Sequence, residues 1–208
     1  MRGIMTLLLL LALLPGCAAP SGEADAASPA VRTAAPRAEN MRASMVETAP
    51  PPMLEAEVVT AYERALWVYG WFDLAPLPTG GETALVGRRT YHRVDMEGVQ
   101  DMADLRACLR SVFTQELTDR LLDGETARIQ YREINGALYV SGDRRDRDAG
   151  KGAASVEVEW AGEDTCYVNV LVDLLDEDGA AVVGEESWSF PYAFVEDRWV
   201  FTDFRLVY

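Results

Sequence analysis

His92, in Thr90-Tyr91-His92-Arg93, is the only histidine in the chain. Its side chain is the one whose ordinary pKa lies near neutrality, so it is the first candidate for a general base. No oriented partner is visible beside it, and a lone histidine in a strand reads as structural. The patterns G-x-S-x-G, S-x-x-K and H-E-x-x-H do not occur. A zinc site would need a closed set of His and Cys ligands, which this chain does not supply. Asp176-Glu177-Asp178-Gly179, with Glu185, has the acids of a calcium loop. Leu174 would fall at the first ligand position, and strands flank the turn where helices belong, so the segment reads as a solvated hairpin tip. The sequence therefore names no catalytic, cofactor-binding or metal-ligating residue.

A second group of charges stands in Gly-Asp-Arg-Arg-Asp-Arg-Asp-Ala-Gly-Lys-Gly, residues 142–152. It lies between two strand-like pieces, and a surface hairpin needs only two to five loop residues. Asp143, Asp146 and Asp148 alternate with arginines, and three glycines loosen the segment. Taken by itself this is a solvated charged loop with Arg–Asp pairs.

The third chemistry belongs to cysteine. An apolar run over residues 4–14 follows Arg2 and closes on Leu14-Pro15-Gly16-Cys17. It is too short to cross a bilayer, which takes about 20 apolar residues, and it fits the core of a signal peptide. The closing tetrapeptide resembles the bacterial lipobox, with Pro15 in place of the usual small residue. The resemblance implies a diacylglyceryl group on Cys17, whose two acyl chains suffice for stable anchoring in the cell membrane on the extracytoplasmic side. Cys108 and Cys166 then remain as an even pair in an oxidising compartment. They can form a disulfide that staples helix to sheet, or stay as two buried thiols that never meet.

The chain that must position these groups has 208 residues, with 34 acidic and 19 basic side chains and a net charge of −15. That balance argues against a nucleic-acid partner, which calls for a basic footprint. Residues 1–16 read as a lipoprotein signal peptide. Residues 17–52, rich in Ala, Pro, Ser and Glu without an apolar period, read as a flexible tether. A coil of that length reaches roughly 30 to 35 Å. Residues 53–208 read as one domain.

Its first helix is expected over 53–72, with Leu54, Val58, Ala61, Tyr62, Ala65 and Tyr69 at helical spacing and Pro76 and Pro78 beyond its end. Thr90 to Val94 suit a short strand. A single long helix is expected over 101–124, capped by Asp101 and Gly124, with Leu105, Cys108, Leu109, Val112, Phe113, Leu117 and Leu121 as its apolar stripe. After Gly124 the period changes to two. Strands 128–134 and 137–141 flank Asn135-Gly136, a hairpin signal. Further alternation runs through 155–160, 166–174 and 188–192, and 199–208 completes the sheet. The plan is α+β, with N-terminal helices packed on one face of an antiparallel sheet.

Several stretches follow one order: Trp67-Val68-Tyr69-Gly70-Trp71-Phe72, Thr90-Tyr91-His92-Arg93-Val94, Asp104 to Phe113, Gly136-Ala137-Leu138-Tyr139-Val140, Gly142-Asp143-Arg144, and the closing Arg198-Trp199-Val200-Phe201-Thr202-Asp203-Phe204. In that order the chain resembles the IseA-type DL-endopeptidase inhibitors of Firmicutes. The likeness covers most of the domain, and its motifs are mainly core aromatics and turns. The lipobox and tether stand outside it. The resemblance implies a non-enzymatic protein that binds secreted NlpC-type cysteine peptidases of peptidoglycan. It implies that residues 142–152 are a mobile docking loop presenting Asp143, Asp146 and Asp148. Two other classes share such a plan: a lipid-anchored binding or signalling module on a nuclear-transport-factor-2-like fold, and a small-molecule enzyme of that fold.

Overall fold

In the computed structural model, residues 49–123 and 131–208 are described. The expected signal peptide, Cys17, most of the tether, Gly124 and the start of the strand expected at 128 lie outside the described residues.

The helix expected first is α1, Glu55–Gly70. Val58, Tyr62, Ala65, Val68 and Tyr69 form its buried face, while Leu54 precedes the helix and is exposed. Glu57 accepts from the Leu54 N–H at 2.8 Å, which closes the first turn. Two strands follow, β1 (Thr79–Val86) and β2 (Arg89–Val94). The first has no counterpart in the sequence reading, because Gly80 and Gly81 interrupt it and nearly all of it is exposed. Little alternation is written into a strand with little to bury.

The single helix expected over 101–124 is instead two, α2 (Met102–Arg110) and α3 (Gln115–Leu122). Asp101 caps the first through Asp104 N–H at 2.8 Å, and Thr114 caps the second. The segment between them is drawn into a sheet. Phe201 N–H donates to Val112 O at 2.9 Å, and Thr114 N–H donates to Phe201 O at 3.1 Å. An edge strand's free backbone groups outcompete one more helical turn here. The apolar stripe survives the break: Leu105, Leu109, Val112, Phe113, Leu117 and Leu121 are all buried, and Cys108 is half-buried.

The hairpin β3 (Tyr131–Ile134) and β4 (Ala137–Val140) turns at Asn135-Gly136 with φ of 53° and 77°, as that dipeptide allows. Then come β5 (Lys151–Trp160), β6 (Thr165–Leu175), β7 (Val182–Val195) and β8 (Arg198–Phe201). Among the described residues these strands pair with one another in antiparallel fashion, and the α+β plan holds. The strands form two four-stranded sheets where one was expected, in the orders β1-β2-β4-β3 and β5-β6-β7-β8. No pairing joins β4 to β5, so residues 141–150 form a crossover between sheets and not a hairpin loop.

Helix α1 lies against β5 and β6. Phe204, in the irregular tail after β8, is the hub of the core. Its ring contacts those of Tyr62, Tyr69, Phe113, Phe190 and Phe201, at centroid distances between 4.8 and 5.8 Å. Among the described residues no helix is long and apolar enough to cross a membrane.

Candidate functional site

The crossover that holds Asp143, Asp146 and Asp148 starts where β4 ends, at buried Ser141. Its second arginine then turns back to the helical layer. Arg145 N–H donates to Asp73 O at 2.9 Å, and its Nε donates to the Asp73 carboxylate at 2.5 Å. Its Nη2 donates to the main-chain oxygen of Tyr208 at 3.1 Å. These side chains are only 25% and 17% exposed for Arg145 and Asp73, so solvent screens the pair less than it screens the others nearby. Two residues further, the Arg147 guanidinium sits 4.5 Å from the centre of the Tyr208 ring, in cation–π geometry.

The three aspartates divide by role. Asp143 takes Arg89 Nη2 at 3.3 Å and the Ser141 hydroxyl at 3.4 Å, yet half its side chain is exposed. Asp148 caps the turn into β5, accepting from Gly150 N–H at 2.9 Å. Asp146 is exposed, and among the described residues its carboxylate has no partner. The loop expected over residues 142–152 is shorter than that, because Lys151 and Gly152 lie in a strand. Gly152 belongs to β5, where a Cβ would come within 3.0 Å of both Asp173 and Leu175 side chains. Lys151 is also in that strand, paired with Glu186. What remains outside regular structure, residues 141–150, is anchored by Arg145 near its middle.

Beside the crossover lies a hollow of about 390 Å³. The segment Ala75-Pro76-Leu77-Pro78-Thr79 forms one wall, and His92, Val140, Gly142 and Arg144 form the rest. That wall is fixed from below by Tyr131, whose hydroxyl accepts from Leu77 N–H at 3.0 Å and donates to Trp71 O at 3.1 Å. Burial pushes the Tyr131 phenol well above its usual range, so it stays a neutral donor. His92, half-buried on β2 opposite Thr83 and Val140, thus lies at a cavity and not in the core. Arg144 is exposed and has no partner among the described residues. The hollow can therefore offer an imidazole and a guanidinium against an apolar wall, a combination that suits a small anion or an acidic side chain.

The disulfide considered for Cys108 and Cys166 is not formed; both are free thiols. Cys166 is fully buried on β6, in register with Trp160 and Tyr192. Cys108 sits half-buried on α2, facing the Arg64 guanidinium. Burial raises both thiols, Cys166 to about 11. Among the described residues no group of three or more His, Cys, Asp or Glu side chains is placed to hold a metal ion.

The sequence pointed to the three aspartates and missed Asp73 and Arg145 as the pair that holds their segment. Asp73 and Arg145 lie 72 residues apart, and no local pattern announces a pair at that distance. No family model matches the chain, and no curated protein matches it.

Proposed function

We propose that this chain is a lipid-anchored protein of the extracytoplasmic membrane face that binds and inhibits secreted NlpC-type endopeptidases of peptidoglycan. The resemblance described above supplies the partner class. The observation that carries the reading is the crossover: a segment that interleaves three largely exposed aspartates with three arginines and is held at Arg145 beside a filled aromatic core. A pinned segment loses less conformational entropy on docking than a free one, so its aspartates can meet a basic cleft at small cost. Complementary charge would raise the association rate and make binding salt-sensitive. In this reading the protein is an inhibitor and needs no catalytic residue, metal or cofactor of its own.

The test is a peptidoglycan hydrolysis assay with a secreted NlpC-type peptidase. Wild-type protein should inhibit, less so as salt rises, and the triple variant Asp143→Asn, Asp146→Asn, Asp148→Asn should not. Full inhibition by a folded triple variant would remove the crossover from the interface. The anchor is tested separately: a fatty-acid probe should label the wild type, and Cys17→Ala should abolish labelling and membrane retention. Equal labelling of the variant would end the lipoprotein reading.

The hollow beside His92 and Arg144 favours a second reading, a lipid-anchored module that binds a small anion or, if His92 moves a proton, acts on it. Saturable carboxylate binding that Arg144→Gln abolishes, with no effect on any endopeptidase, would select it.

A further inference from the structure

A separate cavity of about 220 Å³ opens between α1 and the second sheet. One wall is a single stripe of α1, Glu57, Thr60, Ala61 and Arg64, at the i, i+3, i+4, i+7 positions of one helix face. The opposite wall is Ser111 and Val112, where α2 gives way to the β8 edge. The floor is aromatic: Tyr192 and Trp199 stack with centroids 5.5 Å apart, and Phe201 adjoins them.

The polar groups of this cavity are opposite in sign and partly unused. Glu57 spends one carboxylate oxygen on Leu54 N–H, which leaves the other free. Arg64 spends Nη2 on the Ser111 hydroxyl at 2.9 Å, which leaves most of its donor fork. Tyr192 is only 6% exposed, lines the cavity, and its hydroxyl has no hydrogen-bond partner among the described residues. Burial, the largest influence, pushes that phenol up to about 12; the Cys166 thiol adds to the rise, Arg64 opposes it and Glu57 adds a smaller increment. The phenol is thus a neutral donor and acceptor above an aromatic platform.

We propose that this cavity binds a small zwitterion, a free α-amino acid or a dipeptide. The ligand's ammonium meets Glu57, its carboxylate meets Arg64, and its apolar body lies on the Tyr192–Trp199 platform. Charge selects this class. A plain anion would face Glu57 and a plain cation Arg64, while a neutral apolar ligand would leave both unpaired. Size agrees, since the cavity is smaller than the usual site for a drug-sized ligand, which starts at about 300 Å³. Seven helical residues separate the two charged positions by about 10 Å along the axis. An extended dipeptide spans about 7 Å, and its charged contacts add about 2.8 Å at each end, so one or two residues fall within side-chain reach. This inference does not depend on the inhibitor reading.

The test is isothermal titration calorimetry on the full chain in detergent, using leucine and Ala-Ala as probes. N-acetyl-Ala-Ala and Ala-Ala amide, each lacking one charge, are the blocked controls. At least one of the free probes should bind saturably, and blocking either end should weaken binding about tenfold or more. Glu57→Gln, which can still accept from Leu54 N–H, and Arg64→Gln should weaken it as much, while Arg64→Lys should retain part of it. Absence of saturable heat from both free probes at millimolar concentration overturns the proposal. So does equal affinity for the blocked controls, an arm that uses only wild-type protein and does not depend on any variant folding.

Discussion

Tyr62 carries its hydroxyl into the core, where it is sealed from solvent and has no hydrogen-bond partner. Burial, and to a lesser degree Tyr208, push its phenol far above the ordinary range. A buried hydroxyl without a partner has lost its water and gained nothing in exchange. The ring itself stacks on Phe190 and touches Phe204, contacts that Phe would keep. Tyr62→Phe should therefore stabilise the protein by about 1 kcal/mol, read as a rise in urea midpoint at constant slope. Cys166 poses a residue-scale question about pH. Its thiol is raised from an ordinary value near 9 to about 11 by burial. Above about pH 9 the unfolded chain sheds that proton while the folded chain keeps it. Fewer protons are then bound in the unfolded state, so stability must fall as pH rises. Urea midpoints between pH 9 and 10 should decline in the wild type and decline less in Cys166→Ala. Of Cys108 and Cys166, a thiol reagent at pH 8 should label only Cys108 in the native protein, and Cys166 only after unfolding.

At the scale of elements, the crossover of residues 141–150 separates two kinds of charge. Arg145 and Asp73 tie it to the end of α1, with mostly buried side chains and backbone contacts on both sides. Asp143, Asp146 and Asp148 stand on it in solvent or serve its local turns. Arg145→Ala leaves the Asp73 carboxylate without its guanidinium and should cost about 2 kcal/mol, on the scale of a charged hydrogen bond. The triple Asp→Asn variant should change stability by less than about 1 kcal/mol, because exposed ion pairs contribute little. Thermal denaturation of both variants checks the contrast. If the triple variant is the less stable one, the aspartates hold the fold and their role toward a partner is secondary.

At the scale of the whole molecule, one ring ties helices, sheet and tail together. Phe204 contacts five aromatic rings drawn from α1, the α2–α3 junction, β7 and β8. Phe204→Ala should cost about 3 to 5 kcal/mol, the usual range for a buried phenylalanine. Because its neighbours belong to separate elements, the loss should appear as a single cooperative transition at lower temperature and not as melting of one element. Calorimetry decides between these: two resolved transitions in the variant would mean that the ring holds only its own tail.

Much of this architecture could be read from the chain because the relevant signals are local. The 3.6-residue stripe of α1, the alternation in β6 and the Asn135-Gly136 turn each depend on neighbours a few residues away, and each stands where periodicity put it. The stripe through Leu105, Val112, Phe113 and Leu121 also named the correct buried side chains. It could not show the break at Val112–Thr114, since Val112 and Phe113 face the core in a helix and in a bridge to Phe201 alike. The division into two sheets, the hollow at His92 and the pairing of Asp73 with Arg145 were decided only in three dimensions. Backbone groups on a sheet edge, and charges 72 residues apart, choose partners by proximity after collapse, and no spacing along the chain records that choice.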